Sequence, residues 1–413
     1  MTTVSTQAGI SSAAAMALED KYGAHNYHPI PVVLARGEGV HVWDVEGKHY
    51  FDFLSAYSAV NQGHCHPRII DAMVKQAQTL TLTSRAFYND KLGIAEQYLC
   101  RYFAFDRALM MNSGAEAVET AIKLARKWAY EVKGVQDGKA KLIVCADNFH
   151  GRTTTIVSFS TDPDGYGHYG PYTPGFVVIP FGDIEALEKA LEDPDVAGFL
   201  FEPIQGEAGI VLPPDGYLAA VRGLCDKHNV LMIADEIQTG IARTGRLLAV
   251  DHEQVKPDVL ILGKALSGGT MPVSAVLASD AVMLTLHPGQ HGSTYGGNPL
   301  ACAVMVASLD VVTDEALAEN AERMGEIFRA RLAAIDHPMM EFVRGRGLMN
   351  AIGIRPMNGF KAWDVCMKFA ENGLLAKPTH EHIIRFAPPL VITEEQVEEC
   401  AAIIAASILS FPR

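Results

Sequence analysis

The sequence predicts an α/β protein built on a buried, mainly parallel sheet, flanked by a small antiparallel sheet near the N-terminus and an α+β region at the C-terminus. Short apolar runs recur at Ala108 to Met111, Leu142 to Ala146, Ala197 to Phe201, Val230 to Ala234 and Val259 to Leu262, separated by longer stretches of helical period. In the clearest of those stretches Val118, Ala121, Ile122, Ala125 and Ala129 form an apolar face opposite Glu119, Thr120, Lys123, Arg126 and Lys127. Beyond about Asp314 the rhythm changes: a long helix, strand-like Leu348 to Ile354 and His382 to Phe386, and helices at Gly359 to Glu371 and Thr393 to Ser410.

In chain order, a mobile N-terminal tail precedes Gly39 to Phe53, which alternates apolar and polar residues around Glu46-Gly47 and reads as a β-hairpin. The change of rhythm divides the chain into an N-terminal segment, 1-60, a large domain, 61-313, and a C-terminal small domain, 314-413. No repeat of solenoid period interrupts this plan.

Composition narrows the function. The 413 residues are 49% hydrophobic, enough for a full core, and 48 acidic against 34 basic residues give a net charge of -14. That balance disfavours nucleic acid and anionic membrane surfaces as partners. The most apolar stretch, Pro299 to Val312, is too short to span a bilayer. The first twenty residues hold no Lys or Arg, unlike a transit peptide, which predicts a cytoplasmic protein. Of seven scattered cysteines without CxxC spacing, most read as reduced core residues. His25, His28, His64, His66 and His150 lack the helical i, i+4 zinc spacing, so no metal is expected.

The chemistry-bearing residues fall where strands end. Val230 to Ala234 runs into Asp235-Glu236-Ile237-Gln238, and a side-chain period of two puts Asp235 and Ile237 on one face and Glu236 on the other. An acid at the carboxyl edge of such a sheet can meet the nitrogen of a flat cationic ring, or it can be a solvated strand end. Lys264 follows the next strand 29 residues after Asp235, the length of one βαβ step, among small and apolar neighbours. There it can act as an amine nucleophile toward an aldehyde, or sit at the surface as most lysines do. Ser113-Gly114-Ala115 opens a helix and Gly292-Ser293-Thr294 lies in a glycine-rich loop; both suit a phosphate, as they also suit an ordinary cap and turn. Phe149-His150-Gly151-Arg152 adds an aromatic platform and a guanidinium. Together these are the parts a pyridoxal phosphate site requires. A Rossmann dehydrogenase lacks support, because no GxGxxG follows the first α/β strand.

As an ordered set, Asn112-Ser113-Gly114-Ala115-Glu116-Ala117, Phe149 to Thr153, Phe201-Glu202-Pro203-Ile204-Gln205-Gly206-Glu207, Asp235 to Gly240, the Lys264 segment and Gly292 to Pro299 resemble the class III, or ω-amino-acid, pyridoxal-phosphate aminotransferases. Within them the ornithine-type enzymes are nearest, and the resemblance runs from about Tyr22 to the C-terminus. It implies a fold-type I transferase, with a large domain around a mainly parallel sheet and a small α+β domain formed by N- and C-terminal segments. Pyridoxal 5'-phosphate is the implied cofactor. Lys264 is implied as its covalent anchor and proton shuttle and Asp235 as the partner of its ring nitrogen. Phe149 and Ile237 would sandwich the ring, Gln238 would bond its phenolic oxygen, and Ser113, Gly114 and Ala115 would bind its phosphate. Ser293 and Thr294 would come from the other subunit of a homodimer.

The same resemblance implies Tyr27, Tyr57, Arg152, Glu207 and Arg385 as substrate readers. A 2-oxoglutarate acceptor carries two carboxylates, matching two arginines, whereas a donor presenting its terminal amine carries one. Glu207 would mask Arg385 while the donor is bound, and Arg152 would take the donor's carboxylate. His25 to Pro29 and Ser55 to Pro67 look ornithine-type, placing Tyr27 and Tyr57 near a free α-amino group. The implied reaction is δ-amino transfer from L-ornithine to 2-oxoglutarate. The alternatives are acetylornithine, 4-aminobutyrate or lysine as donor, an aminomutase or decarboxylase on the same cofactor, and a non-enzymatic binding module, which retention of Lys264 argues against.

Overall fold

A computed structural model describes residues 9–413, and the first eight residues of the expected tail lie outside the described part. The rest of that tail is structured. Ser12–Tyr22 is a helix whose N-cap, Ser11, accepts a hydrogen bond from Ala14, and Ser12 donates to Glu46 at the tip of the first hairpin.

Three antiparallel strands follow, β1 (Leu34–Glu38), β2 (His41–Asp44) and β3 (His49–Asp52), the last two forming the expected hairpin. The central sheet has seven strands: β4 (Arg107–Met111), β5 (Lys141–Cys145), β6 (Phe176–Ile179), β7 (Val196–Phe201), β8 (Leu231–Asp235), β9 (Val259–Leu262) and β10 (Ser274–Ala278), in the order β4-β10-β9-β8-β7-β5-β6. β10 alone runs antiparallel to its neighbours. Five strands match the apolar runs of the sequence; β6 and β10, flanked by proline and glycine, were not among them.

Both faces of the sheet are covered, which is why its strands read as unbroken apolar runs. Along β8, Met232 and Ala234 pack into one core while Leu231 and Ile233 pack into the other. The helix Gly114–Trp128 covers the second face through Val118, Ala121, Ile122 and Ala125. Two details differ from the sequence reading. Thr120, placed on the polar face, is buried, with its hydroxyl donating to the Glu116 carbonyl. The β8-to-β9 connection is no α-helical crossover: residues 236 to 258 form turns and one short 3-10 helix, Ala249–Glu253.

The C-terminal part is α+β. Strands β11 (Met340–Arg346), β12 (Met349–Ile354), β14 (Lys377–Thr379) and β15 (Ile383–Phe386) make an antiparallel sheet in the order β11-β12-β15-β14. The two-residue strand β13 (Leu374–Leu375) pairs with β3, so the two ends of the chain share a sheet. Arg243, fully buried on the β8-to-β9 connection, fastens the parts: it donates to the carbonyls of Leu348 and Pro388 and to Asn61. Burial lowers its pKa to about 9. Among the described residues no helix is long and apolar enough to cross a membrane. All seven cysteines are free, and five are buried.

Candidate active site

The carboxyl ends of β4, β5, β7, β8 and β9 open on one side of the sheet, where open α/β sheets place ligands. A cleft there, with about 640 Å³ of non-protein space, is lined by Gly114, Ala115, Phe149, His150, Gly151, Glu202, Asp235, Ile237, Gln238, Thr239 and Lys264. Most of the expected cofactor residues are therefore brought together from four separate strand ends, and Glu202 joins them from a fifth.

At the floor, Asp235 is 4% exposed, with one carboxylate oxygen accepting from the Ile237 N–H at 3.0 Å and the other 2.6 Å from Nδ1 of His150. Burial works against a charged imidazole, but the bond to Asp235 and that carboxylate's charge carry the His150 pKa above the ordinary value. The contact with His150 fixes the direction in which the Asp235 carboxyl points. Glu236, on the opposite face as expected, accepts from the Val250 N–H at 2.9 Å and from the Thr239 hydroxyl.

Lys264 leaves β9 with φ +45°, in the left-handed region that side chains rarely adopt, a strained geometry typical of functional positions. Burial lowers the pKa of its amine, against the charges of Glu207 and Asp235. A larger fraction of free amine is the form in which Nζ attacks an aldehyde or takes up a proton.

At the other end, Ser113 caps the helix Gly114–Trp128 in a reciprocal box with Glu116, and its carbonyl is held by the Ser274 hydroxyl at 2.7 Å. The N–H groups of Gly114 and Ala115 remain open at the helix N-terminus, where an anion is favoured. A Cβ on Gly114 would lie 3.0 Å from Ile237, and one on Gly151 2.9 Å from Ala115, so side chains there would close the slot. An acid at one end, free N–H groups at the other and Phe149 and Ile237 on the walls fit a phosphorylated pyridine aldehyde.

The substrate end is an ion pair. Arg385 on β15 reaches Glu207 at 2.6 Å and the Gly206 carbonyl at 3.3 Å, and Gln238 donates to the same Glu207 oxygen at 3.2 Å. Burial pushes the Glu207 carboxyl up, but Arg385 outweighs it and holds the pKa below the usual value. Tyr57 lies with its ring 5.6 Å from the Arg385 guanidinium. Its backbone belongs to a left-handed turn, Ser55 to Ser58, with every φ between 48° and 69°, held by Asp52 accepting from the N–H groups of Leu54 and Ser55. Such a conformation costs about 1–2 kcal/mol per residue.

Arg152 is exposed, its guanidinium 5.8 Å from the Phe149 ring, on a side cavity that also touches Glu207 and His380. Tyr27, 70% exposed, stands at the rim beneath the Lys377 ammonium, 5.9 Å from its ring.

Gln238 and the pair Ser293 and Thr294 complete the set of expected cofactor residues. Gln238 turns its amide nitrogen to Glu207 and to the Tyr57 carbonyl. Ser293 and Thr294 do not line their own chain's cleft; the Ser293 hydroxyl accepts from Asn112 at 2.9 Å, and Thr294 faces outward. The sequence reading gave no role to His150, Glu202, Lys377 or Thr379, whose hydroxyl donates to the Glu207 carbonyl at 2.9 Å. His150 and Glu202 stood inside quoted motifs, but nothing in sequence spacing pairs His150 with a carboxylate 85 residues away. Among the described residues no group of three or more His, Cys, Asp or Glu is placed to hold a metal ion.

Comparison with known proteins agrees in family and fold. The aminotransferase class-III family matches residues 22–408. The rat mitochondrial ornithine aminotransferase is 60% identical over 393 residues, 95% of this chain and 90% of that protein. The crystal structure of the ornithine aminotransferase from Toxoplasma gondii superposes with a TM-score of 0.95 at 50% identity, covering 97% of this chain and 96% of that one. The acetylornithine aminotransferase from Elizabethkingia anophelis superposes with a TM-score of 0.89 at 57% identity, covering 97% of this chain and all of that one (100%).

Proposed function

The chain belongs to the class-III aminotransferases, and on that footing we propose that it transfers the δ-amino group of L-ornithine to 2-oxoglutarate. The products are L-glutamate and L-glutamate 5-semialdehyde, which cyclises to pyrroline-5-carboxylate and so joins arginine and proline metabolism.

Pyridoxal phosphate, when bound, supplies an aldehyde for the amino group and a protonated ring that withdraws electrons from the carbon losing its proton. The residues do the rest. Gly114 and Ala115 offer N–H groups to the phosphate, and Asp235, held by His150, takes the ring N–H. Lys264, lowered in pKa by burial, moves the proton between substrate carbon and cofactor at its Nζ.

The observation that carries the substrate reading is the Glu207–Arg385 pair. With Glu207 in place, Arg385 is neutralised and the cleft accepts a donor whose reacting end is an uncharged chain. With Glu207 turned away, Arg385 is free for the α-carboxylate of the oxo acid, and Arg152 serves the second carboxylate. Tyr27 and Tyr57 favour a free α-ammonium over an acetylated one, which would crowd the phenols.

A steady-state assay with 2-oxoglutarate and either L-ornithine or N-acetyl-L-ornithine tests this directly. Clear preference for free ornithine is expected; preference for the acetylated donor, the substrate named for the Elizabethkingia neighbour, overturns the tyrosine argument and leaves the cofactor assignment standing.

Ser293 and Thr294, neither of which lines the cleft of its own chain, support a homodimer in which each subunit completes the other's phosphate site; mixing subunits mutated at Thr294 and at Lys264 tests it. The parts 1-60, 61-313 and 314-413 are proposed as the units of the fold. We also place the enzyme in the cytoplasm; the rat relative is named mitochondrial, so fractionation of cells expressing the full chain is the test.

A further inference from the structure

We propose that Glu202 is a positioning residue that couples the two ends of the cleft, so that a carboxylate arriving at Arg385 is felt by the loop that carries Phe149. The inference rests on the aminotransferase reading above and deepens it, from two substrate-facing ends to a mechanical tie between them.

Glu202 follows the end of β7 and is 7% exposed. One carboxylate oxygen accepts from the Phe149 N–H at 3.0 Å, and the other from the Gly206 N–H at 3.3 Å. The two donors belong to different loops. Phe149 lies on the loop after β5 and lines the cofactor wall. Gly206 lies on the loop after β7, and its carbonyl and the adjoining Glu207 both hold the same nitrogen of Arg385.

Gly206 is also packed without slack. A Cβ built there would lie 1.4 Å from the Gln238 amide oxygen, and Gln238 in turn bonds Glu207. When Glu207 leaves Arg385 to admit a substrate carboxylate, Gly206 and Gln238 must shift with it. Glu202 is the side chain that passes this shift to Phe149.

The geometry uses both carboxyl oxygens as acceptors, each taking one N–H. Burial and the nearby Asp235 charge oppose ionisation and raise its pKa to about 7, while His150 and the two backbone donors favour the carboxylate. The Lys264 amine, its own pKa lowered by burial, also interacts with this carboxyl. A glutamine has the same shape but one acceptor atom, so Glu202→Gln must release one loop whichever way its amide turns.

The experiment uses glutarate, a dicarboxylate that fills the acceptor's carboxylate sites and cannot react. The affinity of the apoenzyme for pyridoxal phosphate is measured by absorbance with and without saturating glutarate, in the wild type and in Glu202→Gln. The wild type should show a shift of about fivefold or more, the usual size of coupling between sites. Glu202→Gln should show less than about twofold, within the scatter of uncoupled sites. Equal shifts in the two proteins, or none in the wild type, overturn the proposal.

Should the variant fold poorly, hydrogen exchange in the wild-type holoenzyme decides without it. The Phe149 and Gly206 amides should change protection together on adding glutarate, and a change at one alone overturns the tie. Neither readout depends on the donor. If ornithine proves not to be the donor while coupling persists, the substrate reading fails and this inference stands.

Discussion

The floor and the mouth of the cleft are built on opposite principles. At the floor, Asp235, His150 and Glu202 are each under a tenth exposed, and each carboxylate oxygen described there meets a named donor. At the mouth, Tyr27 and Arg152 are exposed and held by ring–cation contacts, and Arg385 is shared between one carboxylate and one carbonyl. A buried network whose carboxylate oxygens each meet a donor fixes atoms to within a narrow geometry. An exposed rim can accept a donor and an acceptor of different charge in turn. Chemistry is thus placed on the rigid strand ends, and the choice of substrate on groups free to exchange partners.

The largest test of that contrast removes the amine. Lys264→Ala should bring transamination to background, because its Nζ is the group assigned to carry the proton; a purified variant turning over at the wild-type rate would break the mechanism. His150→Phe should follow at about 100-fold in kcat/KM, within the range that general acid–base alignment supplies, with an altered cofactor absorbance at neutral pH. A loss confined to KM would place His150 with the mouth.

Arg243→Met probes the frame beneath both regions. It strands the carbonyls of Leu348 and Pro388 and the Asn61 amide in a dry interior, at about 3 kcal/mol. A drop in Tm of several degrees is expected, with KM for both substrates rising as the small domain loosens; an unchanged Tm would show that Arg243 is not the fastening.

Mouth residues should behave differently. Tyr27→Phe and Arg152→Ala should raise KM for the donor by about tenfold, the weight of one exposed charge-assisted contact, and leave kcat within a factor of two or three. Equal losses in kcat would assign them to the transition state and erase the distinction.

The sequence made the floor legible because each strand end announces itself: an apolar run stops at the residue that does the work, as at Asp235 and Lys264. The strands it hid, β6 and β10, sit beside turn-forming residues, Gly175 and Pro180 around the first and Pro272 just before the second, which mask their apolar pattern. The helical content of the β8-to-β9 step was overestimated because its length suits a helix, whereas the turns at Ile241 and Ala242, both at positive φ, are set by the buried Arg243 rather than by local propensity. The Glu202 bonds to two loops and the His150–Asp235 contact join residues far apart in the chain, and only the folded sheet brings them together.

The smallest expected effect separates two acids with the same titration. Glu202 and Glu236 are both buried, and burial raises each pKa to about 7 from an ordinary 4.5. A carboxyl whose folded pKa is raised holds its proton in the folded state between those values. Its contribution to stability is therefore full below about 4.5 and is lost as pH rises through 7. Glu236 bonds Thr239 and Val250 from the face opposite Asp235, and an amide can both donate to the Thr239 hydroxyl and accept from the Val250 N–H. Glu236→Gln should accordingly flatten the loss of stability between pH 5 and 7 by on the order of 1–3 kcal/mol, read from chemical denaturation at each pH, while kcat and both KM values stay put. A change in 2-oxoglutarate KM would extend the cleft's network to the opposite face of β8, and an unchanged pH slope would mean that Glu236 keeps its charge in the fold.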